Sequence, residues 1–226
     1  MINEAFMSKL AADKKLLLNS LIFPGIFLVI IWVVKFAELA FGTSFAFLGV
    51  YPREFFGLPG IIFSPLIHGD FEHLYANSAP ILILMTTLFY FYRKIAFKIF
   101  FLIYIFTGIW VWIAARESYH IGASGLIYGL VAFLFISGIL RKSPQLMAIT
   151  LLVAFLYGGI IWGIVPDFYP EKNISWESHL LGLVAGALLA IYFRNIGPQR
   201  KKYSWDLEEE IDEDEDEDDA YWRINN

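Results

Sequence analysis

A chain with six apolar segments, each close to the roughly 20 residues that cross a bilayer at 1.5 Å per residue, has few folds open to it. The segments begin at Leu16 and recur at about 73–92, 95–115, 122–140, 145–166 and 176–193. Backbone polar groups in hydrocarbon must be satisfied within their own segment, so each is predicted to be a helix. The expected architecture is an all-α integral membrane protein, a bundle of six transmembrane helices. A soluble helical bundle competes poorly, because 58% of the residues are hydrophobic and only 17% are charged. The first segment follows a polar, amphipathic stretch rather than a short basic leader, and no small-residue cleavage pattern follows it. It is therefore read as a retained helix.

The segments divide the chain into a short N-terminal part (1–15), a membrane domain (16–194) and a tail (195–226). The connection from Thr43 to Gly69 is the longest within the domain. It holds Pro52, Gly57, Pro59, Gly60 and Pro65, yet Phe55-Phe56-Gly57-Leu58 and Gly60-Ile61-Ile62-Phe63 are too apolar for a solvated linker. A loop with short helices lying in the outer interface fits both facts. Positive charge gives the orientation. One set of segment ends carries Lys9, Lys14, Lys15, Arg93, Lys94, Lys98, Arg141, Lys142, Arg194, Arg200, Lys201 and Lys202, and the other only Lys35, Arg53, Arg116 and Lys172. Both termini are therefore expected in the cytoplasm. Segments two, four and six then run the same way, and the residues at their outer ends share one depth.

Those outer ends carry the polar residues that matter. Ser124 opens segment four in Ile121-Gly122-Ala123-Ser124-Gly125-Leu126-Ile127-Tyr128-Gly129, His179 stands at the head of segment six, and His73 and Asn77 lie one turn apart at the head of segment two. Taken alone, Ser124 is compatible with simple helix packing, and each of the others with an interfacial anchor. A shared depth makes them one candidate site, because intramembrane polar groups facing a bundle interior are functional by default. A serine hydroxyl becomes a nucleophile when a base takes its proton, which makes a Ser124–His179 dyad the economical reading. Glu177 could reach it as a third group. Gly125 and Gly129 form one small-residue ridge and Gly182 and Gly186 another, which allows segments four and six to approach closely. Tyr128, one turn below Ser124, could stack on His179. The helix N-terminus at Ser124, with donors from His73 and Asn77, could hold an oxyanion. His68 lies in a wet, proline-containing loop where it could shape the site or water entry, and His120 is read as interfacial. The absence of cysteine excludes thiol chemistry. Two to four histidines without an embedded carboxylate make an incomplete metal set, so no metal and no cofactor are expected.

The sequence resembles the rhomboid intramembrane serine proteases in Gly122-Ala123-Ser124-Gly125 with Tyr128, in His73-x-x-x-Asn77 and in His179-x-x-Gly182-x-x-x-Gly186. The resemblance covers about residues 16–194. It implies that Ser124 is the nucleophile and His179 its base, that His73, Asn77 and the Ser124 N–H form the oxyanion hole, and that His68 is the additional loop histidine. It also implies a compact six-helix fold with a membrane-embedded first loop and a shorter fourth helix that starts at the bottom of a water-filled cavity. Segment five, with Gly158, Gly159 and Gly163, would act as a lateral gate, and Pro166 with Phe168-Tyr169-Pro170 as a cap loop. The chain departs from the family in lacking an adjacent Trp-Arg pair in the first loop, where Arg53 follows Pro52, and in having Ser178 before His179.

The expected activity is intramembrane serine endopeptidase action on transmembrane protein substrates near the outer face. The alternative is a rhomboid-like membrane protein that binds or retains transmembrane clients without catalysis. Expected partners are such substrates and membrane lipid, with no nucleic acid and no obligate partner. The expected location is a prokaryotic plasma (inner) membrane. Asp206–Asp219 carries twelve of the 22 acids, a self-repelling run expected to be a solvated cytoplasmic extension.

Overall fold

The computed structural model of the protein describes residues 2–156 and 175–197. The gate glycines Gly158, Gly159 and Gly163, the proposed cap loop and the acidic tail lie outside the described residues. Within them the chain is helical: α1 (Ile2–Phe41), a short α2 (Gly60–Phe63), α3 (Phe71–Phe91), α4 (Ala96–Ala114), α5 (Ser124–Leu140), α6 (Pro144–Leu156) and α7 (Trp176–Tyr192). Among the described residues, three helices are long and apolar enough to cross a membrane: α1, α3 and α4. At 17 residues each, α5 and α7 sit at the short limit of a span.

The first helix is longer than its apolar segment. Residues 2–15, expected as a separate short N-terminal segment, are the first turns of the helix, because no glycine or proline interrupts a stretch that includes three Ala and three Lys. The connection from Thr43 to Gly69 contains single 3-10 turns at Ala46–Leu48, Phe55–Gly57 and Ser64–Leu66 besides α2, which matches short helices in an apolar loop. It is pinned against α4 and the segment after it. The Trp112 indole donates to the Glu54 carbonyl (2.9 Å), and the Arg53 guanidinium donates to the Ala115 carbonyl (2.8 Å). Tyr104 donates its hydroxyl proton to the Ile62 carbonyl.

Two contacts show that α3, α5 and α7 run parallel. At one end the His73 ring of α3 lies against Gly122, and Ser124 meets His179. At the other end Arg141, buried just after α5, donates to the Tyr92 hydroxyl after α3 and to the Phe193 and Ile196 carbonyls after α7. The core between these ends includes Leu74, Leu84, Leu88, Ile99, Ile103, Leu130 and Phe133, all fully buried. Aromatic rings of Phe23, Phe89, Phe97 and Phe100 fasten α1 to α3 and α4.

Candidate active site

The site starts with a cap. Asp70 accepts a hydrogen bond from the His73 backbone N–H (2.7 Å), which starts α3 at Phe71 and sets His73 in its first turn with Asn77 one turn on. Gly122, at φ +104°, turns the chain toward α5 under the His73 ring; a Cβ there would stand 2.6 Å from His73 Cε1. The Gly122 N–H donates to the Ser64 carbonyl (2.9 Å), which ties this turn to the first loop. The helix then begins at Ser124 itself, so its first N–H groups have no intrahelical acceptor.

Glycine decides how near α7 comes. Cβ atoms on Gly182 and Gly186 would collide with the carbonyl oxygens of Gly125 and Gly129, so only bare backbone fits at both crossings. That approach leaves His179 Nε2 2.8 Å from Ser124 Oγ. For the hydroxyl to donate to Nε2, the imidazole must carry its proton on Nδ1. The Tyr128 ring stacks on the imidazole with centroids 4.2 Å apart and planes within 8°, which fixes the plane of the His179 ring. Both rings are buried.

Asn77 is 5% exposed, and its Nδ2 has no hydrogen-bond partner. A buried amide donor left open is costly unless something else uses it. Were Ser124 to act as a nucleophile, its oxyanion would be such an acceptor. Truncation of Asn77 to Ala is therefore expected to lower kcat by about 10²–10³-fold, in the range of a lost oxyanion donor. Stability should hold, because no partner of Nδ2 is orphaned. Thermal unfolding measured beside turnover separates the two effects.

Three expectations change. His68 does not sit in a wet loop: it is 1% exposed, its ring lies edge-on to His73 at 5.0 Å, and neither ring nitrogen has a hydrogen-bond partner. Burial, with His73 beside it, holds its pKa down from 6.5 to about 3, and the Leu66 backbone opposes this without reaching hydrogen-bond geometry. His120 is not interfacial but buried, which lowers its pKa too. Glu177 does not orient His179: both of its carboxylate oxygens accept from Arg116, at 3.1 and 3.2 Å. The burial of the two histidines predicts acid sensitivity. The unfolded chain binds protons at these imidazoles near pH 6.5 while the folded chain resists until lower pH, for His68 until about 3, so stability is full above 6.5 and declines as pH falls below it. The melting temperature in detergent should drop between pH 7 and pH 5, above the ordinary carboxylate range, and His68→Phe should flatten that drop.

Sequence reasoning missed a part-buried hydrogen-bonded chain beside the dyad. Ser175, Ser178 and His120 are hydrogen-bonded to one another, and the Arg116–Glu177 pair lies next to them. One signal was available: His120 precedes Ser124 by four residues, as Ser175 precedes His179. A pocket bordered by Ser64, Thr107, His120, Gly122, Gly125 and Ser178 adjoins the site, with about 20 Å³ open to the centre of a water molecule. That is room for about one water or a small side chain. Among the described residues, no group of three or more His, Asp or Glu side chains could hold a metal ion.

The sequence pattern of the Rhomboid domain matches residues 56–196, more than half of the chain and all of the site. An uncharacterized protein of Mycobacterium tuberculosis is 34% identical over 183 residues, covering 77% of this chain and 75% of that protein. An uncharacterized protein of Mycobacterium leprae is 31% identical over 149 residues, covering 63% and 58% of the two chains. A putative rhomboid protein of Acanthamoeba polyphaga mimivirus is 29% identical over 152 residues, covering 63% of this chain and 81% of that one. The extent of the domain match, together with apolar helices in the parallel arrangement described above, means that the chain is a membrane protein belonging to the rhomboid family.

Proposed function

We propose that this protein is an intramembrane serine endopeptidase acting on transmembrane protein substrates near the outer membrane face. The observation that carries the reading is the 2.8 Å approach of His179 Nε2 to Ser124 Oγ, with the imidazole held by Tyr128. Ser124 Oγ attacks the scissile carbonyl carbon as Nε2 takes the hydroxyl proton. The resulting oxyanion is met by the Ser124 N–H at the start of α5 and by the open Asn77 amide, with His73 beside Gly122 flanking the same turn. His179 then returns the proton to the leaving amine, which leaves an acyl-enzyme on Ser124. Water, deprotonated by His179, hydrolyses that ester and restores the dyad. The small pocket beside Gly125 favours a small side chain at the cleaved bond.

Orientation follows from charge. With the basic ends in the cytoplasm, the Ser124 end opens to the extracytoplasmic side of a prokaryotic inner membrane. The test is cleavage of a reconstituted transmembrane reporter by the wild-type protein against Ser124→Ala and His179→Ala forms. Equal cleavage by all three refutes the reading. Client capture that survives Ser124→Ala, without cleavage or serine labelling in the wild type, would instead favour a client-binding rhomboid-like protein.

A further inference from the structure

The loop that leads into α5 and the start of α7 are joined by two side-chain contacts in register. Ser124 meets His179, and four residues earlier on both segments His120 meets Ser175, with His120 Nδ1 2.5 Å from Ser175 Oγ. The residue types are exchanged between the two: serine faces histidine in one and histidine faces serine in the other. The order of protons in the earlier contact follows from its neighbours. His120 Nε2 lies 3.0 Å from the Arg116 carbonyl, which can only accept, so Nε2 carries the proton and Nδ1 presents its lone pair. Ser175 then donates to Nδ1, and its oxygen accepts from Ser178, 2.5 Å away and next to His179.

The backbone of His120 is fixed as firmly as its ring. Its N–H donates to the Val50 carbonyl (2.8 Å) and its carbonyl accepts from the Val50 N–H (3.0 Å), an isolated antiparallel bridge to the first loop. His120 is 2% exposed and so makes these bonds without competition from solvent. One residue thus fastens the first loop, the approach to Ser124 and the first turn of α7.

We propose that His120 is a positioning residue: through Ser175 it holds the first turn of α7 in the register that presents His179 to Ser124. This rests on the protease reading for its catalytic consequence and on geometry alone for its structural one. The charged groups facing the His120 ring are Arg116 and Glu177, which neutralise each other as an ion pair. The neutral imidazole is therefore the form that serves.

Three variants test it: Ser175→Ala, which removes one hydroxyl, His120→Ala, and His120→Asn, whose side-chain oxygen can still accept from Ser175. Two quantities are measured on the full-length protein in detergent. The first is amide exchange of residues 176–180, which needs no activity. It should rise about tenfold or more in Ser175→Ala and His120→Ala, with the second half of α7 unchanged, because losing the bond opens a local unit. The second is fluorophosphonate labelling of Ser124, separated into reaction rate and probe affinity. The rate should fall about 10–100-fold with affinity retained, as a misplacement near 1 Å produces. Asn should restore most of it, and the Ser175→Ala/His120→Ala double variant should lose no more than His120→Ala alone. Unchanged exchange at 176–180 overturns the proposal, as do additive losses or an Asn variant no better than Ala. A wild-type protein that is never labelled would refute the protease reading, while the exchange data would still decide the register.

Discussion

Ser124→Ala is expected to abolish both reporter cleavage and fluorophosphonate labelling, and His179→Ala to lower turnover by about 10⁴-fold or more. The reason is the direct contact within the pair. His179 Nε2 stands 2.8 Å from the Ser124 hydroxyl, and the nearby carboxylate of Glu177 is committed to Arg116. Double substitution should cost no more than Ser124→Ala alone, because the two groups act as one unit. Ser124→Ala, which removes one hydroxyl, should unfold at nearly the wild-type temperature, whereas His179→Ala should unfold lower because a buried ring stacked on Tyr128 is lost. Residual cleavage by Ser124→Ala above background would assign the nucleophile elsewhere.

The second large effect is expected at Gly182. A methyl group there would collide with the Gly125 carbonyl oxygen, which belongs to the backbone of the facing helix and has no rotamer to escape through. Gly182→Ala must push α7 away from α5 by about 1 Å, with a destabilisation of about 1–3 kcal/mol. The same displacement stretches the Ser124–His179 contact, so labelling should slow by about 10²-fold. Gly25→Ala in α1 is the control, because a Cβ there meets nothing within 4 Å. It should leave both the melting temperature and the labelling rate near wild type. Wild-type behaviour of Gly182→Ala would mean that the helices do not cross as closely as described.

The two effects depend on different kinds of information. Ser124, His179, His73 and Asn77 were legible because apolar length and the bias of Lys and Arg impose topology, and topology puts the heads of alternate segments at one level. The close crossing of α5 and α7 was legible in outline, since paired small residues at four-residue spacing have one common use between membrane helices. His68, His120 and Glu177 were misjudged. The polarity of the two histidines suggested water or the interface, whereas folding enclosed them, and Glu177, allowed as a third group of the dyad, pairs with Arg116 instead. A side chain's sequence neighbours do not report what another segment brings over it.

The sequence by itself determined a helical membrane chain with four polar residues at the heads of alternate apolar segments, because hydrocarbon thickness and the exclusion of charge act on each segment separately. Only the tertiary structure decided the rest. It set the 2.8 Å contact of Ser124 with His179, the stacking of Tyr128, the open amide of Asn77, the diversion of Glu177 to Arg116 and the bond from His120 to Ser175. Each depends on how far one backbone lets another approach and on which partner is nearest once it has. Those are distances between segments about 55 residues apart in the chain, and no local preference encodes them.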